Sequence, residues 1–192
     1  MPLITEQRLR ARAQQETQVL KKSAPIRLNE ALASTRDSFD VFLSHSIKDA
    51  ELVDGARLEL EDKGFSVYVD WVVDPSMSRE SVSPETARKL RVRMRQCRSL
   101  LYMHTENSPD SKWMPWELGY FDGHNGRVAI LPVVRSASSG FKGQDYLGIY
   151  PFVDASLVSG QQREALWVNR TSDTYAPMGE WLRDPATLRK RA

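Results

Sequence analysis

From residue 39 onward the chain alternates short apolar runs with stretches whose apolar positions recur every three to four residues. FDVFL (39–43) is a continuous apolar run of the kind a strand buried on both faces requires, and the polar turn SHSIKD follows it. Residues 49–63 place Leu52, Val53, Ala56 and Leu60 on one helical stripe and stop at Gly64. A second strand, 65–69, ends at Asp70 and Trp71. The Ser- and Pro-rich stretch VVDPSMSRESVSP (72–84) then leads into a helix over about 85–98, with a length that marks a working loop. In that helix Ala87, Leu90, Met94 and Cys97 form an apolar stripe, while Arg88, Arg91, Arg95 and Arg98 form a basic one. SLLYMH (99–104) and RVAILPVV (127–134) read as the third and fourth strands, 148–153 as a short fifth, and 179–189 as a closing helix.

Strands alternating with helices of this length imply an α/β fold: a flavodoxin-like parallel sheet in the order 2-1-3-4-5, with helices on both faces and right-handed crossovers. The topological switch then lies between the first and third strands, and ligands bind outside their carboxyl ends. Ser44, His45 and Ser46 follow strand one, His104 and Thr105 follow strand three, and Asp70 and Trp71 follow strand two. Asp70 and Trp71 adjoin the long loop and are expected to form a wall of the same cleft, with Trp71 and Arg79 on its loop side. Residues 1–36 differ from all this. They are polar, carry seven basic and three acidic residues, and contain one helix-like stretch over about 6–22. The expected organisation is an extension, 1–36, followed by an α/β domain, 37–192.

The segment DSKWMPWELGYFDG (110–123) holds the most specific chemistry. Asp110 and Ser111 are suitable N-caps and Pro115 suits a first turn, so a helix starts here with Trp113 and Glu117 one turn apart on a shared face. An aromatic plate beside a carboxylate can stack on a ring and hold a sugar. Packing of Trp113 into the core, with Glu117 favoured simply by the positive helix end, is the alternative. Trp116 is expected to pack beneath the sheet.

Composition narrows the field. With 192 residues, 41% of them hydrophobic, the chain buries a proper core, and a net charge of +2 gives no global field for nucleic acid. One cysteine, Cys97, excludes an internal disulfide and any multi-cysteine metal site, and its apolar stripe makes it a core residue. His45, His104 and His124 match no metal-ligand spacing. No run approaches the roughly 18 apolar residues of a membrane span, and the first fifteen residues lack a signal peptide's apolar run. A cytoplasmic protein with no membrane or nucleic-acid partner is expected.

FDVFLSHSIKDAELV resembles the opening motif of Toll/interleukin-1 receptor (TIR) domains, and the loop after strand two stands where their BB loop stands. SKWMPWELGYFDG is similar to the family's third-helix segment, in which the catalytic glutamate of enzymatic members follows a tryptophan by four. The resemblance covers roughly residues 38–150 and is greatest to stand-alone bacterial TIR-like proteins, including those of Thoeris-type phage defence. It implies cleavage of the nicotinamide–ribose bond of NAD, with cyclisation of ADP-ribose into a signal read by a downstream effector. NAD is then a substrate and no cofactor is needed. It also implies self-association through surfaces that include the 72–84 loop. Glu117 would be the catalytic carboxylate, facing the cation that develops on ribose as neutral nicotinamide departs. Trp113 would stack on a ring, and Ser44, His45 and Ser46 would contact ribose or phosphate, with Asp70, Trp71 and Arg79 on the loop side. Two other functions fit: a non-enzymatic TIR interaction module, and an enzyme like the nucleoside deoxyribosyltransferases. An interaction module has no need of the Trp113–Glu117 pair.

Overall fold

The computed structural model describes residues 2–32, 36–70, 83–136, 141 and 145–190. Among these, nine strands form one sheet: β1 (Ile4–Thr5), β2 (Phe39–Ser44), β3 (Val67–Tyr68), β4 (Cys97–His104), β5 (Val128–Val134), β6 (Phe152–Leu157), β7 (Glu164–Asn169), β8 (Thr174–Pro177) and β9 (Arg189–Lys190). The helices are α1 (Glu6–Leu20), α2 (Ala24–Leu32), α3 (Ala50–Asp62), α4 (Pro84–Arg95), α5 (Met114–Asn125) and α6 (Met178–Arg183). The strands run β3-β2-β4-β5-β6-β7-β8-β9, with β1 on β5. Its parallel part, β3 to β6, has the expected 2-1-3-4-5 order.

Beyond β6 the sheet continues antiparallel through β7, β8 and β9, which the hydrophobic pattern did not separate. The β6–β7 turn closes with Val158 N–H donating to Arg163 O at 2.9 Å, around Gly160 at φ +75°. The closing helix is shorter than its pattern suggests because Pro185 forces Asp184 out of helical geometry, to φ −146°.

Both faces of the parallel strands are buried, which is why they read as unbroken apolar runs. Along β4, Leu100 and Tyr102 enter one cluster with Phe42, Ile130, Met94 of α4 and Phe121 of α5. Leu101 and Met103 enter the opposite cluster with Leu43, Leu131, Val53 of α3 and Leu9 of α1. Caps set the helix starts. Thr5 Oγ1 accepts from Arg8 N–H at 3.2 Å, and Ser83 Oγ accepts from Thr86 N–H at 3.1 Å with Pro84 next in line.

The N-terminal segment is bound closely to the rest. β1 pairs in parallel with β5, Ile4 opposite Val133, and α1 packs on α3 so tightly that a Cβ at Gly55 would stand 2.1 Å from the Leu9 carbonyl oxygen. Only glycine permits that approach. Arg27, 4% exposed, donates through Nε to Asp54 Oδ2 at 3.0 Å and through Nη2 to Ala13 O at 3.0 Å. Asp54, fully buried, also accepts from Arg57 at 2.9 Å.

Arg8 reaches across to Glu59 at 2.6 Å and Glu164 at 2.5 Å, and Lys63 adds a 3.1 Å contact to Glu164. These hydrogen bonds, Arg8's first, hold the Glu164 carboxyl at about 2, below its usual 4.5. The pair therefore contributes stability above the ordinary carboxylate range, and that contribution is lost as pH falls from about 4.5 towards 2. Melting temperatures of wild type and Glu164→Gln should differ at pH 7 and converge near pH 2; an equal gap at both would remove Glu164 from the acid response.

Candidate active site

Two loops meet at the carboxyl end of the sheet. β2 ends at Ser44 and continues through His45 and Ser46 into a short 3-10 turn, Ile47–Asp49, that feeds α3. β4 ends at His104 and continues through Thr105 and a second 3-10 turn, Ser108–Asp110, to α5. β2 connects through α3 to β3 on one side and lies beside β4 on the other, so the switch point falls between these loops.

Glu117 occupies the first turn of α5, where its N–H closes on Trp113 O at 2.8 Å. Pro115 costs this turn nothing, since the first helical N–H groups have no intrahelical acceptor. The helix begins at Met114, whose N–H donates to Ser111 Oγ at 3.3 Å, while Asp110 pairs with Lys48 at 2.6 Å. Glu117 is fully buried, and Ser44 Oγ, equally buried, donates to its Oε2 at 2.5 Å. A side chain from the end of β2 and one from the start of α5 thus meet at the switch point.

The other expected residues that the structure describes make contacts of their own. His45, 1% exposed, donates from Nδ1 to Leu43 O at 2.8 Å, so that Nδ1 carries a proton. Ser46 Oγ caps the 3-10 turn through Lys48 N–H at 3.4 Å. Asp70 accepts from Tyr68 OH at 3.5 Å. Trp113 is 3% exposed, edge-on to Trp116 at 5.4 Å, so its indole lies within the cluster beneath α5. Trp116 is half-buried and stacks on Tyr120, which stacks on His124. Trp71, Arg79 and the 72–82 part of the long loop lie outside the described residues.

Sequence pattern missed two participants. Tyr102 stands beside Ser44 in the β2–β4 register; burial first, then its bond to Tyr146 and the Glu117 charge, push its phenol up. Strand parity from Ser44 could have found it. The sequence pattern places Asp49 only at the start of a helix, and its carboxylate accepts from Thr105 Oγ1 and Asn107 Nδ2, each at 2.6 Å.

Away from the site, burial pushes Cys97 up to about 12, leaving an unreactive thiol. α4 ends at Arg95, short of the expected 98, and Cys97 and Arg98 belong to β4 instead: Arg95 donates to Tyr120 OH at 2.9 Å, and Arg98 donates from the strand to Asp40 at 3.3 Å. Burial lowers His104, which meets Phe141 edge-on at 5.1 Å. Among the described residues no three His, Cys, Asp or Glu side chains gather as a metal site. No helix among them is long and apolar enough to cross a membrane.

The chain belongs to the TIR domain family, whose model matches residues 41–166. Over 145 residues, 75% of each chain, it is 46% identical to a Bacillus cereus (strain MSX-D12) protein. That protein carries the provisional name 3' cyclic ADP-D-ribose synthase ThsB'. A Cytobacillus dafuensis protein, provisionally named cyclic ADP-D-ribose synthase TIR2, is 35% identical over 83 residues. That match spans 43% of this chain and 22% of the other.

Proposed function

We propose that this protein cleaves the nicotinamide–ribose bond of NAD and closes the ADP-ribose into a cyclic product, a nucleotide signal of bacterial anti-phage defence. The observation that carries the reading is the buried Ser44–Glu117 contact at the switch point. Nicotinamide departs as a neutral ring, so the reaction needs little general acid; it needs negative charge beside the ribosyl carbon as that carbon becomes cationic. Glu117 supplies the charge, and Ser44 fixes which oxygen faces inward. The glycosidic C–N bond breaks, and a nucleophilic atom of the same ADP-ribose forms the new bond and sheds its proton; water in its place would give linear ADP-ribose. Two relatives named for cyclic ADP-ribose synthesis support the cyclic outcome.

Incubation of pure protein with NAD, followed by separation of nicotinamide, linear ADP-ribose and its cyclic isomers, tests this directly. Equimolar nicotinamide and cyclic product are expected. Intact NAD at every protein concentration, with turnover of nucleosides by base exchange, would replace it with the deoxyribosyltransferase reading.

NAD is consumed as a substrate, in the cytoplasm where it is abundant, with no resident cofactor in the scheme. In this reading His45 and Ser46 contact ribose or phosphate of NAD, and Asp70, Trp71 and Arg79 are its contacts on the loop side. One variant separates two readings of Trp113. If the indole presents an edge or face to a substrate ring, Trp113→Ala costs about 1–3 kcal/mol in kcat/KM among folded molecules. If it serves packing alone, the variant loses stability by about 3–5 kcal/mol while its folded fraction turns over normally. The ring role is expected to show as a rise in KM, and Trp113→Phe should recover part of it.

Self-association through surfaces that include the 72–84 loop would complete the cleft, and an effector would read the released nucleotide. Specific activity is then expected to rise with protein concentration. Constant specific activity in a sample that light scattering shows to be strictly monomeric would dismiss the assembly requirement and leave Glu117 in place.

A further inference from the structure

We propose that Asp49 is a positioning residue for the cleavage reaction: it clamps the β2–α3 turn to the β4–α5 loop and thereby sets where Glu117 stands beside Ser44. This rests on the reading of Glu117 as the reacting carboxylate. Asp49 is 6% exposed, and each of its oxygens takes a different residue of the facing loop. Oδ2 accepts from Thr105 Oγ1 and Oδ1 from Asn107 Nδ2, both at 2.6 Å. The loop then folds around the same threonine. Asn107 N–H donates to Thr105 Oγ1 at 3.2 Å, Thr105 N–H donates to Ser108 Oγ at 2.8 Å, and that hydroxyl donates to Met103 O at 3.0 Å.

A carboxylate is the group this arrangement demands, because it offers acceptors on both sides and no donor. An amide at position 49 would turn one side into a donor facing either a hydroxyl already committed to Asn107 or the Asn107 amide itself. The second link between the loops, Lys48 to Asp110, has both side chains more than half exposed and holds little by comparison. Of these two loop-to-loop links, the one through Asp49 is the firmer.

The consequence reaches Glu117 through a short path. The clamped loop leads through Ser108–Asp110 to Ser111, whose hydroxyl receives Met114 N–H, and Glu117 lies in the turn that Met114 starts. On the other side, Ser44 precedes the turn that ends at Asp49. The Ser44–Glu117 hydrogen bond spans the two loops at 2.5 Å and has no slack to absorb a relative shift. Displacement of a reacting group by about 1 Å costs on the order of 10²-fold in rate.

The test is steady-state NAD cleavage by Asp49→Asn, Thr105→Val, Thr105→Ser and Glu117→Gln, at a protein concentration where wild type turns over, with the folded fraction measured by circular dichroism. Asp49→Asn and Thr105→Val are expected to lower kcat about tenfold or more per folded molecule with KM changed less than about threefold. Thr105→Ser keeps the hydroxyl and should restore kcat to within about threefold of wild type. Should Asp49→Asn not fold, the Thr105→Val and Thr105→Ser pair decides alone. Wild-type kcat in folded Asp49→Asn or Thr105→Val, with Glu117→Gln inactive, overturns the clamp and spares the active-site reading. Loss that merely follows the unfolded fraction overturns it too. Cleavage retained by Glu117→Gln overturns the reading underneath, and the clamp with it.

Discussion

Glu117→Gln is expected to abolish nicotinamide release from NAD, by about 10²-fold or more, while the protein stays folded. The substitution keeps the side chain's shape and leaves an amide oxygen to accept from Ser44 Oγ, so the hydrogen bond of 2.5 Å has a successor. What disappears is the negative charge. A neutral amide cannot balance a ribosyl cation, and removal of one preorganised electrostatic partner from an enclosed site costs about 10² to 10³ in kcat. Stability should hold or rise, because a fully buried carboxylate is itself expensive to keep. Nicotinamide release at the wild-type rate from folded Glu117→Gln would strip the residue of its role; a lower melting temperature would count against the charge being a cost to the fold.

Asp54→Ala is expected to cost about 3–5 kcal/mol, the range found when one partner of a buried ion pair is removed. Arg27 and Arg57 both lie on this carboxylate, and Arg27 is only 4% exposed. Domain stabilities run to about 5–15 kcal/mol in total, so this one change should take the protein close to its limit. Denaturant midpoints give the measurement, and a loss under about 1 kcal/mol would show that the cluster contributes little. The double change Arg27→Met with Asp54→Leu should recover most of the loss, since the Arg27 charge leaves with its partner and Arg57 keeps its ion pair with Glu61 at 2.7 Å.

The parallel sheet was legible because both of its faces are covered. Phe42, Leu101 and Ile130 each had to be apolar whichever way they pointed, and that leaves a continuous run in the sequence. β7 and β8 were not, because EALWVN and TYAP mix buried with half-buried positions and their pairing is settled by a turn, not by a run. Glu117 was legible through its spacing from Trp113, and Ser44 through its place after a strand. Their mutual hydrogen bond was not, since the two residues are far apart in the chain and only the strand order brings them together. Asp49 looked like an ordinary helix-start carboxylate; its partners, Thr105 and Asn107, belong to another loop. The indole of Trp113 shows the limit from the other side: a one-turn spacing fixes a shared helix face and does not say whether that face is open.

The pairing of β1 with β5 and the seating of α1 on α3 impose an order on synthesis. α1 is made early, yet Leu9 and Ala13 have no cover until Gly55 and its neighbours have followed them out of the ribosome. Ile4 waits longer still, until Val133 arrives. A long-range closure of this kind is slow, and apolar surface exposed in the meantime invites aggregation or chaperone capture. The arginines at positions 8, 10 and 12, later held by Glu59, Glu51 and Asp62, keep the waiting helix charged and soluble. Ribosome-bound chains halted before β5 should therefore lose α1 readily to protease, and chains extended past it should resist.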